Sequence, residues 1–568
     1  MFINKVKINN YRNFRNFEAI LKKITVVIGE NCTGKSNFFS ALSLPLANNS
    51  IDYNQKKLNI SDINRESIVE FFNSVLDKEP ESHQITKIPK VSVMLQFVDP
   101  KDSYEKAILS NWLIKDDNED CFQIRYDFKP KDDKEFLRAV HSLLKDTDRK
   151  NINWFTLPLE FYDYQIVSVN NERIISFSDL KNIQINHINA ERDDFSDKNT
   201  MKSNSILTKL LINNLNEEEK KLINKAYISF FSEIESTKTF EKIIQLDENF
   251  ENIKNYLKQL ECIPNLPNLK NILSNITLKY GEEFLYQKGL GQRNLIYIFI
   301  LFAYYKINQS TFNLCCIEEP EAHLSVNNLR LVTDFIYKSA ENNSNSKLQT
   351  ILSTHNPVLI NKLKLSNVLT LTGEKAINLS NSPQELLNYL RKRPNFDILK
   401  LLFADKVILV EGVTEEMLIN TFLTAKYSQL NNIEVIAINQ KGFKTFLDMW
   451  LQLNHKNNSK KIGVIRDFDN QPNAKEEHQK YDTNHENIIV RTTQKYTLED
   501  DFVATDNNLN VLNKFFNKNF NQEEMSDFLK SKKANYILEI CDALLREKDQ
   551  INLSLPSHID EVIKEILC

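Results

Sequence analysis

The eight residues Gly29-Glu30-Asn31-Cys32-Thr33-Gly34-Lys35-Ser36 constrain this chain more than any other segment, because they fit the pattern GxxxxGK[ST]. The apolar run 24–28 before them reads as a short buried strand, and a helix is expected to follow. In that context the pattern has a physical use: the loop's backbone N–H groups and the positive end of the helix surround phosphate oxygens. Lys35 is expected to reach the β- and γ-phosphates and the Ser36 hydroxyl to hold Mg²⁺. Gly29, Asn31, Gly34 and Asn37 complete the expected nucleotide-binding set, with ATP as the ligand.

A second element belongs with the first. Leu314-Cys315-Cys316-Ile317-Glu318-Glu319-Pro320 is an apolar strand ending in two carboxylates. Glu318 is expected behind the metal of the nucleotide, and Glu319 is expected to polarise the attacking water as a general base. Lys288-Gly289-Leu290-Gly291-Gln292-Arg293 precedes a helix expected over 294–305, and it resembles the signature of ABC-type ATPases. That resemblance implies that Gly289 and Gly291 bind the γ-phosphate held by an opposing subunit, and hence a dimer. Gln287-Lys288 stands where the family has a Ser, which bears on turnover more than on binding. Glu321-Ala322-His323-Leu324 resembles the D-loop of the same class. Ser353-Thr354-His355-Asn356-Pro357 resembles its switch segment, which gives His355 a catalytic role. Asn9-Asn10-Tyr11-Arg12-Asn13-Phe14 resembles the opening of SMC-like and RecF-like ATPases, which implies that Arg12 approaches the nucleotide, with Arg15 as its rival. Gln96, late in the strand expected over 91–98, is a Q-loop candidate, and Arg192 a candidate phosphate contact.

A different chemistry follows. Val407-Ile408-Leu409-Val410-Glu411-Gly412-Val413-Thr414-Glu415 is a strand, a carboxylate, a glycine turn and a helix start. Ile462-Gly463-Val464-Ile465-Arg466-Asp467-Phe468-Asp469 is a strand ending in two acids. Strands alternating with helices predict a doubly wound sheet, whose strand ends share one C-terminal edge. Carboxylates converging there need a compensating cation. All-oxygen donors suit Mg²⁺ or Mn²⁺.

Glu-Gly with DxD on this topology resembles the Toprim domain, and the finer details resemble its OLD (overcoming lysogenization defect) family form. The resemblance implies a two-metal phosphodiesterase that nicks or cleaves DNA. Glu411, Asp467 and Asp469 would hold one ion. Glu415, and Glu499 of the segment Thr497-Leu498-Glu499-Asp500-Asp501, would hold the other. Lys533, with Lys532 as the alternative, would offset charge in the transition state. The family further implies DNA as substrate, a homodimer or higher homo-oligomer, service in bacterial anti-phage defence, and in some members a helicase or retron-type partner protein. Two competing expectations remain: a RecF-like repair ATPase, and a silent ATP- and DNA-sensing module. A topoisomerase would want a nucleophilic Tyr in its own domain, and no segment reads as one.

The fold class expected is α/β. An ABC-type ATPase domain occupies 1–200 and 270–385, split by a helical insertion over 201–269 that is read as dimer-forming. A doubly wound Toprim domain with a C-terminal helical part occupies 395–568, after the polar stretch 380–394. Leu207, Leu210, Leu211, Leu215, Leu222, Ile223, Ala226 and Phe230 give the insertion its helical period. Strands are expected at 2–8 (as an edge), 184–188, 312–317, 349–353, 434–438 and 488–491, and the charged stretch 101–150 predicts nothing definite. Net charge is −4, so any DNA-binding surface must gather its cations locally, as at Arg391-Lys392-Arg393. Seven Cys without a CxxC pair argue against a disulfide framework and fit a reducing cytosol. No secretory leader and no apolar run of about 18 residues is visible, which predicts a cytoplasmic protein without a membrane partner.

Overall fold

The computed structural model describes residues 1–48, 56–76, 87–116, 119–144, 155–188, 206–238, 269–274, 276–307, 311–341, 347–373, 375–379, 388–390, 392–393, 396–426, 432–439, 442–454, 459–468, 470, 472–546 and 551–567. Arg192, Arg391 and Asp469 lie outside the described residues, as does the insertion beyond residue 238 up to 268. The chain forms two compact units, Met1–Val26 with Gly34–Thr354, and Val27–Thr33 with His355–Cys568. The division thus falls upstream of the polar stretch 380–394.

The strands of the first unit, in chain order, are β1 (Phe2–Tyr11), β2 (Phe14–Ile20), β3 (Ile24–Gly29, shared with the second unit), β4 (Ala47–Asn48), β5 (Val91–Val98), β6 (Leu113–Asp116), β7 (Glu119–Pro130), β8 (Tyr162–Ser168), β9 (Ile183–Ile188), a small hairpin β10 (Lys279–Tyr280) and β11 (Glu283–Phe284), β12 (Phe312–Glu318) and β13 (Leu348–Ser353). One sheet is antiparallel, in the order β2-β1-β5-β7-β6, with β8 added on β7. Its strands alternate: Val91, Val93, Leu95 and Phe97 of β5 are buried and the residues between them are not, as a sheet with one face on the core requires.

The reading of β1 as an edge strand is corrected. It lies between β2 and β5. The chain reverses over Arg12-Asn13, with Arg12 in the left-handed region at φ 49°, and this two-residue turn lays β2 against β1. The charged stretch 101–150 also proves ordered in large part, forming β6, β7 and the helices Ser103–Leu109 and Asp133–Leu144. Its charges are satisfied across the sheet: Arg125 bonds Asp127 and Glu172, both at 2.8 Å.

The second sheet supplies the parallel core. β12 runs parallel to β9 on one side and β13 on the other, and β3 follows β13 in the sheet order. All six residues of β3 and the first six of β12 are buried, as strands covered on both faces must be. The helix Leu290–Ile307 begins four residues before the expected start and so takes in Gly291. The described part of the insertion is two helices, Ile206–Asn214 and Glu217–Ser236. The second is opened by a reciprocal cap between Asn216 and Glu219. It leaves Leu222, Ile228, Phe230 and Ile234 exposed.

The second unit adds β14 (Val368–Leu371), β15 (Ala376–Asn378), β16 (Lys406–Val410), β17 (Ile433–Ala437), β18 (Lys461–Arg466) and β19 (Ile488–Thr492). The last four form an all-parallel sheet in the order β17-β16-β18-β19. Ile408 of β16, Leu418 and Phe422 of the helix Val413–Lys426, Phe502 of the helix Leu498–Ala504, Ile537 and Ile540 of the helix Lys533–Arg546, and Val562 of the helix Ser557–Leu567 share one core. The C-terminal helices therefore complete the sheet's packing. A methyl group on Gly463 of β18 would lie 2.4 Å from Val562 Cγ1 and 2.7 Å from Ile566 Cδ1, two side chains with no exposed surface. Gly463→Ala is therefore expected to overpack the core and to cost about 1–3 kcal/mol, read as a lowered thermal-unfolding midpoint. Among the described residues no helix is long and apolar enough to cross a membrane.

Candidate functional site

The loop 29–36, of which residues 29–33 belong to the second unit and 34–36 to the first, leads from β3 into the helix Lys35–Ser43. Gly34 caps that helix at φ 99°. A Cβ there would stand 2.5 Å from Asn13 Nδ2 and 2.9 Å from Phe14 Cζ, so both backbone and space demand glycine. Glycine is also needed at Gly29, where a Cβ would meet Thr33 Oγ1 at 2.6 Å and Leu371 O at 2.8 Å. Glu30, Asn31 and Cys32 of the loop are exposed, and Glu30 pairs with the buried Lys460.

Ser36 Oγ donates to Glu318 Oε2 at 2.6 Å, joining the start of the helix to the end of β12. The other oxygen, Glu318 Oε1, lies 2.6 Å from His187 Nε2. Burial works to raise the Glu318 carboxyl, but the hydrogen bonds from His187 and Ser36 outweigh it and hold the pKa below the usual carboxylate range. The sequence reading placed a strand over 184–188 without singling out His187. The available signal was a titratable residue inside a short apolar strand, and parallel pairing sets it opposite Cys316, two residues before Glu318.

Arg12 Nη1 donates to Asn37 Oδ1 at 2.8 Å and its Nε to Asp62 Oδ1 at 2.9 Å, while Asn37 Nδ2 donates to Asn13 Oδ1 at 2.7 Å. Arg15 turns instead to Glu70 and Glu66. Of the two arginines, Arg12 is the one fixed to the helix that follows the loop. Gln96 accepts from Gln123 Nε2 at 2.9 Å within the antiparallel sheet, so its bonding is to that sheet and not to the loop 29–36.

Glu319 follows β12 in the left-handed region at φ 44°, its N–H donating to Ser353 O at 3.0 Å. Gly291 abuts the next turn: a Cβ there would fall 2.1 Å from His323 O. Asn294 Nδ2 donates to Ala322 O at 3.0 Å. Gly289, by contrast, is exposed with open space around it. His355, in the second unit, is exposed one residue before Asn356, whose side chain caps the helix Pro357–Lys362.

The second unit gathers carboxylates at the C-terminal edge of its parallel sheet. Glu411 follows β16 and Asp467 follows the adjacent β18, with Asp467 N–H directed to Glu411 Oε1 at 3.4 Å. Glu415 sits in the first turn of Val413–Lys426 and Glu499 in the first turn of Leu498–Ala504, 5% and 2% exposed. Lys533 Nζ, at the start of its own helix, lies 2.9 Å from both Glu415 Oε1 and Glu499 Oε1. Burial, then Glu415, push the Asp467 carboxyl up to about 8, against the pull of Lys533. Glu415 and Glu499 pair with one ammonium, and their charges and that of Glu411 bear on Asp467, an excess of negative charge that a hard cation would relieve.

Among the described residues, no three carboxylate, His or Cys groups stand together as a metal-holding set. Lys533 draws Glu415 and Glu499 to itself, and Asp469 lies outside the described residues. The donor set nevertheless fits a divalent cation, being all oxygen, negative in sum and half sealed from water.

Comparison with known proteins gives two family matches: the AAA ATPase domain over residues 1–360, and the overcoming lysogenization defect protein-like TOPRIM domain over residues 402–469. Endonuclease GajA of Bacillus cereus (strain HuB5-5) is 21% identical over 508 residues, which covers 78% of this chain and 73% of that one. Among solved structures, the SMC head domain from Thermotoga maritima is 13% identical, covering 66% of this chain and 99% of its own, with a TM-score of 0.29. The recombination mediator protein RecF of the RecFOR pathway, in its ATPrS structure, is 9% identical, covering 66% and 98%, with a TM-score of 0.32.

Proposed function

The chain belongs to the AAA ATPase domain family, and we propose that, with its overcoming lysogenization defect protein-like TOPRIM domain, it is an OLD-family nuclease: an ATP-controlled, divalent-metal-dependent DNA endonuclease. The observation that carries the reading is the convergence of Glu411, Glu415, Asp467, Glu499 and Lys533, from separate segments, at one edge of a parallel sheet. Ligand sites form at such edges.

Glu411, Asp467 and Asp469 would hold one Mg²⁺ or Mn²⁺, and Glu415 with Glu499 a second. Such ions, when bound, lower the cost of the charge that builds on the attacking and leaving oxygens. Lys533 neutralises Glu415 and Glu499 while the site is empty of substrate, and its ammonium is then positioned to meet the anionic diester. Burial works against that ammonium, but the two glutamates outweigh it and raise its pKa, so it stays charged at neutral pH.

In the ATPase domain, the N–H groups of residues 29–36 with Lys35 would receive the phosphates of ATP, and Ser36 would hold its Mg²⁺. Glu318, kept ionised by His187 and Ser36, orients that Ser36 hydroxyl. Glu319 would polarise the water, with His355 beside the γ-phosphate. The exposed Gly289 and the start of its helix would address the nucleotide of a second copy, and the uncovered Leu222, Ile228, Phe230 and Ile234 support a homodimer or higher homo-oligomer. A cytoplasmic role in anti-phage defence, with a helicase or retron-type partner, follows the family resemblance.

The pairing of Lys533 with two of the presumed ligands favours one competing reading, a sensing module that no longer cuts. Supercoiled plasmid, linear duplex and gapped DNA incubated with the purified chain, Mg²⁺ or Mn²⁺, and with or without ATP, separate the two. Metal-dependent nicking or linearisation is the expected result, and the ATP lanes give the sign of control. DNA left intact in every lane while ATP is hydrolysed would decide for the sensing module.

A further inference from the structure

The loop from β19 into the helix Leu498–Ala504 is braced on both sides of one residue. Gln494 N–H and Lys495 N–H donate to the two Asp501 oxygens at 2.7 and 2.8 Å. Thr493 Oγ1 donates to Lys495 O at 3.0 Å. Thr497 gives its N–H and its hydroxyl to Asp500 Oδ2 at 3.0 and 3.1 Å. The braces are themselves anchored, Asp501 by His558 at 3.3 Å and Asp500 by Lys530 at 2.6 Å. Between them stands Tyr496, 55% exposed. Among the described residues, no hydrogen bond or ring stacking engages it. A large aromatic face held stiffly in water gains nothing from packing, so its rigidity is preorganisation for something that arrives.

Its place says what arrives. Glu499 is three residues further on. Thr493 Oγ1, which braces the loop, also accepts from Phe468 N–H at 2.8 Å, and Phe468 follows Asp467 directly. The backbone that carries Tyr496 is therefore tied to the strand end that carries Asp467. Two exposed cations belong to the same segments: Lys495, next to Tyr496 in the chain, whose Nζ donates to Gln522 Oε1 at 3.3 Å, and Lys475, whose Nζ lies 5.8 Å from the Phe468 ring centroid. An aromatic face with cations next to a phosphodiester site is the chemistry that stacks a nucleobase. In closed duplex both faces of each base are already covered by neighbours, and only an unstacked base can meet the ring.

We propose that Tyr496 stacks on an unpaired base beside the scissile phosphate, so that this site takes DNA whose strand is open at the cut: a single strand, a frayed end or a gap. This rests on the nuclease reading and names its substrate class. Tyr496 is then a substrate-positioning residue, outside the set that holds the metal.

The test uses the full chain with Ca²⁺ and a single-stranded oligonucleotide carrying one 2-aminopurine, beside the blunt duplex of the same sequence. Wild type is expected to prefer the single strand and to quench the 2-aminopurine. Tyr496→Ala should weaken single-strand binding roughly tenfold and lose the quench, with duplex binding and the thermal midpoint unchanged. Tyr496→Phe should restore both. In Mg²⁺, the alanine variant should raise KM on gapped DNA and leave kcat nearly intact. Equal single-strand binding by wild type and Tyr496→Ala would overturn the proposal, as would a Phe variant as weak as the Ala one. If Tyr496-dependent quenching is present and wild type cuts nothing, the nuclease reading fails and the stacking stands.

Discussion

Asp467→Ala is expected to abolish metal-dependent DNA cleavage, by at least roughly 100-fold, and to leave the fold as stable as before or more so. The first half follows from position. Asp467 ends β18 next to Glu411, which ends the adjacent strand, and it is the carboxylate on which the charges of Glu415, Glu411 and Glu499 all bear. Loss even of a group that only supports a metal's ligands costs about 10–100-fold in affinity or activity, so loss of a ligand in a two-ion site should cost more. The second half follows from charge. Without a cation, burial and three other carboxylates push the Asp467 carboxyl up to about 8, so at neutral pH folding must protonate it, and its removal takes that cost out of the folded state while Lys533 keeps its bonds to Glu415 and Glu499. Plasmid cleavage and a thermal melt in metal-free buffer read the two halves separately. A variant that unfolds would show Asp467 holding the structure together, and one that still cuts would remove it from the reaction.

How much of this site could be read from the chain depends on where each residue's partners come from. Glu411 and Asp467 were legible because each directly ends an apolar strand, and parallel strands in one sheet end at one edge. The loop 29–36 was legible because Gly29 and Gly34 occupy places where a Cβ has no room. His187 was not, since its meaning lies wholly in the carboxylate of Glu318, 131 residues away. Lys532 and Lys533 are adjacent, but Lys532 lies between two helices at φ −139° while Lys533 begins the second. Only the packing of Lys533–Arg546 on Val413–Lys426 determines which one meets Glu415. The bracing around Tyr496 was equally hidden, because nothing in the sequence gives Asp500 and Asp501 a role, whereas the structure uses them to hold backbone. The partner of Gln96 was likewise hidden, because the strand carrying Gln123 is 27 residues away in the chain.

Glu319→Gln should stop ATP turnover while leaving ATP binding in place. The residue sits where a non-glycine backbone is strained, at φ 44°, and that conformation is fixed from outside: its N–H is held by Ser353 O at 3.0 Å and its carbonyl accepts from Ala322 N–H at 2.9 Å. Strain maintained at the end of a buried strand aims the side chain, and an isosteric amide keeps both the backbone and the aim. What the amide lacks is the ability to take a proton from water, which accounts for about 10²–10⁴-fold in rate. Binding rests on other groups, Lys35 and Ser36, the latter oriented by Glu318, so nucleotide affinity should change little. Phosphate release and fluorescent-nucleotide binding measure the two quantities. Wild-type turnover in the variant would move the base elsewhere, and lost binding would mean that Glu319 holds the nucleotide. A variant that binds ATP without consuming it also isolates the control of the nuclease. If its plasmid cleavage with ATP matches that of wild type without ATP, the bound nucleotide is indifferent and hydrolysis is the signal. If cleavage rises or falls and stays there, occupancy alone sets the state of the Toprim domain, and hydrolysis serves only to reset it.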